Sequence, residues 1–331
     1  MPLFDRVYKL IVGPAGGTGR IIASGEAGMP SLRITFDIEK TSKEAPNKSK
    51  VTIYNLAPET RKLLESPDVR LALYAGYTES QGAQLMASGN VTFGFTVRDG
   101  ADWATVLEMH DGQVPLRDTM VSVGLGAGAS AHAIIKDVGN QMGLPVILPD
   151  SAPDRTWAHG FSYYGPARTA LRKATDGAGL EWSVQNEALQ VVARNGTTSR
   201  QAIVISSTSG MIKSPERKRE GAKETAKVAD TTTGALPHVK TVAGLKPYYD
   251  GWRVNSLLQP TIVPGDPVKL ESFAVNQVFR VEKVRHVGDS HGGDWQTQFD
   301  LLDPKDYAKE QADLAAKKAK TAARATGGGH H

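Results

Sequence analysis

Polarity alternates with a period of two through the first third of the chain, and no other feature limits the possible folds as much. Tyr8-Lys9-Leu10-Ile11-Val12, Leu32-Arg33-Ile34-Thr35-Phe36-Asp37-Ile38, Val51-Thr52-Ile53-Tyr54 and Val69-Arg70-Leu71-Ala72-Leu73-Tyr74 carry the alternating polarity of half-buried strands. Asn55-Leu56-Ala57-Pro58-Glu59-Thr60 interrupts them. Pro58 suits the first turn of a short helix that residues 61–65 continue. Residues 87–97 and 103–109 read as two further strands, separated by Arg98-Asp99-Gly100. The expectation for residues 1–112 is a small antiparallel β-barrel.

In the middle third the period changes and the chain repeats itself. Ala131-His132-Ala133-Ile134-Ile135-Lys136-Asp137-Val138 leads to Gly143-Leu144 and a strand at 145–148. Ala167-Arg168-Thr169-Ala170-Leu171-Arg172-Lys173-Ala174 leads to Gly179-Leu180 and a strand at 181–184. Each glycine suits the left-handed end of a helix, and two copies are too few for a solenoid. Residues 113–198 are therefore expected to form a compact α/β module, closing with a hairpin across Asn186-Glu187-Ala188. From 199 to 303 strands return, at 202–205, 252–254, 268–270, 278–284 and 295–302. The polar stretch 217–250 interrupts this second barrel as a long loop or arm. Residues 304–331 read as a tail rich in Ala and Lys, helical by propensity, with only Tyr307 and Leu314 as large apolar residues. The fold class is mainly β with an α/β insert: two antiparallel β-barrels flanking a small α/β module.

Composition removes whole classes of chemistry. With no cysteine, the chain has no disulfides, thiolate metal sites or thiol nucleophiles, which fits assembly in a reducing cytoplasm. No apolar run approaches the roughly 20 residues that span a bilayer, so membrane insertion is not expected. Met1-Pro2-Leu3-Phe4-Asp5 lacks the basic and apolar stretches of a secretory signal. A net charge of +4 over 331 residues does not by itself indicate nucleic-acid binding.

Several constellations imitate functional sites. Val121-Ser122-Val123-Gly124-Leu125-Gly126-Ala127-Gly128-Ala129 resembles a dinucleotide loop, with Asp150 placed as a ribose-binding acid, and suggests a nicotinamide-dependent oxidoreductase. The plainer reading is a flexible entry to a helix capped by Ser130. Gly13-Pro14-Ala15-Gly16-Gly17-Thr18-Gly19-Arg20 lacks the ending of a phosphate loop and reads as a hairpin tip. His286-Val287-Gly288-Asp289-Ser290-His291-Gly292-Gly293-Asp294 holds two imidazoles and two carboxylates, but its glycines favour a turn over a metal site. No catalytic, cofactor or metal residue is assigned. The densest basic run, Lys213, Arg217, Lys218, Arg219 and Lys223, is interleaved with Glu216, Glu220 and Glu224 and has no aromatic residue for base stacking. It reads as a solvated arm that contacts a partner. The five tryptophans raise the alternative of a carbohydrate or cell-wall-binding module, although most lie in strand-like runs that suit packing better.

Phe36-Asp37-Ile38-Glu39-Lys40-Thr41, Pro46-Asn47-Lys48 and Thr52-Ile53-Tyr54-Asn55-Leu56 resemble the opening domain of the baseplate hub proteins of contractile-tailed bacteriophages. Ser209-Gly210-Met211-Ile212-Lys213-Ser214-Pro215, Leu257-Leu258-Gln259-Pro260, Pro264-Gly265-Asp266 and Gly293-Asp294-Trp295-Gln296-Thr297 are similar to the same family's closing domain. The resemblance implies two tail-tube-like barrels and a structural, non-enzymatic hub. It further implies a homotrimeric ring joining the hexameric tail tube to the trimeric central spike, alongside other baseplate proteins. DNA and the tape-measure protein would pass through its channel. The implied location is the virion tail baseplate, assembled in the host cytoplasm. The stretch 217–250 departs from the family pattern.

Overall fold

The computed structural model describes residues 5–24, 31–66, 68–194, 196–221 and 247–302. The first third holds β1 (Arg6–Pro14), β2 (Arg20–Ala23), β3 (Ile34–Thr41), β4 (Lys48–Tyr54), α1 (Pro58–Leu64), β5 (Val69–Tyr77), β6 (Gly82–Asp99) and β7 (Asp102–His110). Along β3, Ile34, Phe36 and Ile38 are buried while Thr35, Asp37 and Glu39 are half-buried, so the alternation selects one inner face. Pro58 occupies the start of α1, where its missing N–H leaves no bond unmade.

The middle third contains α2 (Gln113–Asp118), β8 (Met120–Leu125), β9 (Ala129–Ser130), α3 (Ala131–Gln141), β10 (Val146–Ile147), β11 (Thr156–Trp157), β12 (Phe161–Pro166), α4 (Ala167–Ala178), β13 (Leu180–Gln185) and β14 (Ala188–Ala193). Ser130 caps α3, its hydroxyl accepting from the Ala133 N–H at 3.1 Å. Gly179 ends α4 at φ 69°. The strands that follow the two helices flank β14, β10 parallel to it and β13 antiparallel. The core of this module includes Ile134, Ile135, Val138, Leu171, Ala174, Trp182 and Leu189. The Gly-rich turn after β8 does not sit in a dinucleotide fold: β8 pairs antiparallel with β12, whereas a phosphate cradle of that kind opens a parallel βαβ unit.

The last third supplies β15 (Ile203–Ser206), β16 (Glu216–Gly221), β17 (Pro247–Leu257), β18 (Pro267–Glu271), β19 (Asn276–Asp289) and β20 (Trp295–Leu302). The reading of two closed barrels needs correction. Among the described residues the hydrogen-bonded order is one open path, β16-β17-β20-β19-β3-β4-β7-β6-β5-β1-β2, with β18 and β15 joined through β19. Alternation tells a strand which face to bury and says nothing of whether the first and last strands meet. Each half curls around its own core instead. Tyr8, Leu10, Ile53, Leu73 and Leu107 lie in the first core, and Ile205, Val268, Phe279, Val281 and Phe299 in the other. Leu258 and Trp295, from the last third, belong to the first core.

The halves share a strand order. In the first it is β3-β4-β7-β6-β5-β1; in the second, β16-β17-β20-β19-β18-β15, which is the same order of elements along the chain. β4 pairs with β7 from Lys48↔His110 to Tyr54↔Ala104, and β17 with β20 from Gly251↔Leu302 to Leu257↔Gln296, seven pairs in each ladder. Both long hairpins carry a bulge at the matching place, between Val91 and Phe93 and between Val281 and Lys283. The departure is the outermost strand: β1 runs antiparallel to β5, β15 parallel to β18. The stretch 222–246 and the tail 304–331 lie outside the described residues.

Candidate assembly surfaces

The halves meet where β19 pairs with β3, from Lys283↔Thr41 to Asp289↔Thr35. On the outer face of this joint, charge alternates strand by strand through Arg285, Asp37, Lys50 and Glu108. The Arg285 guanidinium donates to both Asp37 carboxylate oxygens, at 2.8 and 2.6 Å, and Lys283 Nζ lies 2.7 Å from Glu39 Oε2. These pairs are solvated, and such pairs contribute about 0–1 kcal/mol each. Register is held more firmly by the alternation itself, because a slip of one residue would turn Ile34, Phe36 and Ile38 outward and the charged side chains inward. On the inner face, Gly288 stands opposite Phe36. A Cβ there would come within 2.2 Å of the Phe36 ring, so glycine lets that ring lie edge-on to Trp295 at 5.1 Å between centroids.

Next to the joint, the tip of the β13–β14 hairpin is clamped by buried polar groups. Asn186 and Glu187 form its two-residue turn, both with left-handed backbone, at φ 52° and 61°. The Asp111 carboxylate accepts both of their backbone N–H groups, at 2.5 and 2.8 Å. Lys40 Nζ donates to Asn186 Oδ1 at 2.6 Å, and Glu187 pairs with Arg70 and accepts from Ser88 at 2.7 Å. Asn47 donates to the Val184 carbonyl at 2.9 Å, and Gln185 donates to the Thr41 carbonyl at 2.9 Å. Burial pulls the Lys40 ammonium down to about 8, against the opposing attraction of Asp111. Burial likewise pushes the Asp111 carboxyl up, although Lys40 and the two amides oppose it. The result is a polar lock between module and sheet.

The basic run is split by the structure. Lys213 is exposed and precedes β16. Arg217, Lys218 and Arg219 lie on β16 itself, paired with β17, where the sequence suggested a loop or arm. The Arg217 guanidinium sits 5.5 Å from the Trp252 ring centroid, and Lys218 Nζ lies 2.9 Å from Asp300. Asp300 also pairs with Arg253 at 2.8 Å, and its carboxyl is lowered by these two cations despite the opposing, larger effect of burial. Lys223 lies outside the described residues.

Of the paired histidines and carboxylates, His291 meets Asp289 through its backbone N–H, which donates to the Asp289 carboxylate at 3.0 Å, and His286 lies apart. His286 is fully buried, its Nδ1 2.9 Å from Thr297 Oγ1, and burial holds it well below its ordinary range. Asp289 also binds Arg33 at 2.7 Å, and His291 is exposed in the turn. Among the described residues no three metal-ligating side chains cluster. Trp182 and Trp295 are core residues, while the exposed Trp103 lies under the guanidinium groups of Arg61 and Arg98.

One surface escaped sequence reasoning. Beyond Asn90, β6 keeps β7 on one side, and among the described residues its other edge has no strand neighbour. There Phe93 is 57% exposed and Val97 43%, with Phe95 beside Phe93 at 5.2 Å between rings. The signal was present as three large apolar residues at alternate positions, but only the strand order reveals that they line an open edge.

No family model and no curated protein sequence matches the chain. Solved structures do. It is similar to a 43 kDa tail protein of prophage MuSo2 from Shewanella oneidensis, at TM-score 0.56 and 10% identity over 90% of this chain and 98% of that one. It is similar to a tail protein from Neisseria meningitidis at TM-score 0.58 and 11% identity, covering 91% and 97%. A third is an Escherichia coli component of the type VI secretion system, described as structurally similar to the phage T4 tail proteins gp27 and gp5, at TM-score 0.53 and 9% identity, covering 83% and 75%. Among the described residues no helix is long and apolar enough to cross a membrane. The chain carries the fold of these phage tail proteins.

Proposed function

We propose that this chain is a structural, non-enzymatic subunit of a phage tail baseplate hub, in which three copies form a ring between the hexameric tail tube and the trimeric central spike. The observation that carries this reading is the repeated strand order laid edge to edge within one chain. A subunit bearing two equivalent β units presents six of them as a trimer, which matches threefold to sixfold symmetry by geometry alone. Residues 1–112 and 199–303 are read as the two tube-like units, and 113–198 as the module that braces them. Lys213, Arg217, Lys218, Arg219 and Lys223 are read as contacts to a neighbouring subunit or baseplate protein. DNA and the tape-measure protein would pass through the ring's channel, and assembly would take place in the host cytoplasm. The fold likeness to prophage tail proteins supports the reading. The test is the mass of the purified protein in solution, alone and mixed with its candidate spike. A trimer, spontaneous or induced by the spike, is expected; a chain that stays monomeric in both conditions overturns the ring.

A further inference from the structure

β19 and β6 hold the same place in their respective halves, yet their edges are used differently. β19 has β20 along one edge and divides the other, residues 276–280 pairing with β18 and 283–289 with β3. On β6, residues 82–90 pair with β5, which corresponds to the β18 contact. Residues 91–99 face no strand on that side among the described residues. The matching bulges align Phe93 with Lys283, Phe95 with Arg285 and Val97 with Val287. The counterpart of β3 is β16: Asp37 stands opposite Lys50 and Glu216 opposite Arg253, while Lys50 and Arg253 face Glu108 and Asp300 in their own ladders.

We propose that the open edge of β6, residues 91–99, receives β16 of a second copy of this chain as an added antiparallel strand, repeating between copies the β19–β3 joint found within each. The inference rests on the ring reading above and names its contact. Carrying over the register of the internal joint, in which Arg285 faces Glu39 and Val287 faces Asp37, sets Phe95 opposite Lys218, Thr96 opposite Arg217 and Val97 opposite Glu216. The chemistry agrees on both faces. The aliphatic stems of Glu216 and Lys218 would cover Phe93, Phe95 and Val97, while Arg217 would come beside Thr96, whose hydroxyl donates to the exposed Glu65 carboxylate at 2.6 Å. An open strand edge is ordinarily guarded by charge; here it carries two phenylalanines and a valine. Within one copy β6 and β16 are separated in the sheet order by β17, β20, β19, β3, β4 and β7, so the contact joins different copies. A contact between unlike surfaces closes into a ring when its rotation divides a full turn.

The chain has no cysteine, which makes disulfide trapping clean. Residues directly opposite in an antiparallel pair lie about 4.5–5.5 Å apart between Cα atoms, within disulfide reach. The full-length protein carrying Val97→Cys and Glu216→Cys, both exposed positions, is oxidised at concentrations where it associates and run on a denaturing gel with and without reductant. Most of the protein is expected as reducible dimers and trimers. A control pair on the edge strand β2, Ile21→Cys with Glu216→Cys, is expected to stay largely uncrosslinked. A second register pair, Thr96→Cys with Arg217→Cys, is expected to crosslink as the first does. An oligomer by mass with neither β6 pair crosslinked overturns this contact and leaves the ring standing. A chain that remains monomeric overturns both.

Discussion

The two halves of the sheet have the same strand order and opposite surfaces at the equivalent edge. In the second half the upper edge of β19 is paired with β3 and faces solvent through Lys283 and Arg285. In the first half the same edge of β6 has no strand partner among the described residues and offers Phe93, Phe95 and Val97. A repeat with two equal edges could polymerise through either. The asymmetry means that one joint is satisfied inside the chain, where covalent connection keeps the partner at hand, and the other is apolar enough to hold a partner that must be recruited. A charged face suits a joint whose proximity is guaranteed, and aromatic area adds affinity where it is not.

The comparison breaks most visibly at the internal joint. Phe36 is 3% exposed and stacks edge-on to Trp295 from the other half. Phe36→Ala is expected to lower stability by about 3–5 kcal/mol, the range for a buried phenylalanine. Both halves should lose structure in one transition in a urea titration followed by tryptophan fluorescence and far-ultraviolet circular dichroism. Two separated transitions, with the second half unaffected, would mean that the joint is a contact between independent bodies.

A smaller effect comes from the buried cation beside that joint. The Lys40 ammonium is held at about 8, against an ordinary value of 10.5. Between those values the unfolded chain binds a proton that the folded chain has released, so the Lys40 contribution to stability is unfavourable below about pH 8 and becomes less so as pH rises. Tyr8 and Tyr77 are raised by burial and act in the opposite sense, but only as they ionise in the unfolded chain near pH 10. Urea titrations between about pH 7 and about pH 9.5 should show the native chain gaining about 1–2 kcal/mol relative to Lys40→Met. Parallel curves for the two proteins would show that Lys40 reaches water.

Much of this was legible in the chain. Alternation located β3, β4, β5 and β7, and Ser130 and Gly179 marked helix ends, because those signals act within a few residues. The joint was illegible, since β3 and β19 are far apart in sequence and nothing in either specifies the other. β16 was hidden for a different reason: Glu216-Arg217-Lys218-Arg219-Glu220 is charged at every position, so it lacks the apolar alternation by which a strand is recognised. Its pairing with β17 comes from the backbone. Of the candidate contacts, the basic run was visible as composition, and the aromatic edge opposite it only as a consequence of topology.

The smallest effect sharpens the comparison most, because it sets equivalent positions side by side. Lys283 and Phe93 occupy matching sites after matching bulges. Lys283→Ala removes a solvated ion pair with Glu39, expected to change stability by about 0–1 kcal/mol. Phe93 is 57% exposed, and Phe93→Ala should stay within about 0.5 kcal/mol in the isolated subunit, as surface substitutions generally do. Association should separate them. Sedimentation over a concentration series is expected to show weaker assembly for Phe93→Ala and unchanged assembly for Lys283→Ala, since an aromatic anchor matters once a partner covers it. Equal assembly by both variants would mean that the exposed Phe93 faces solvent in the ring as well, and that the duplicated edge has lost its use in the first half.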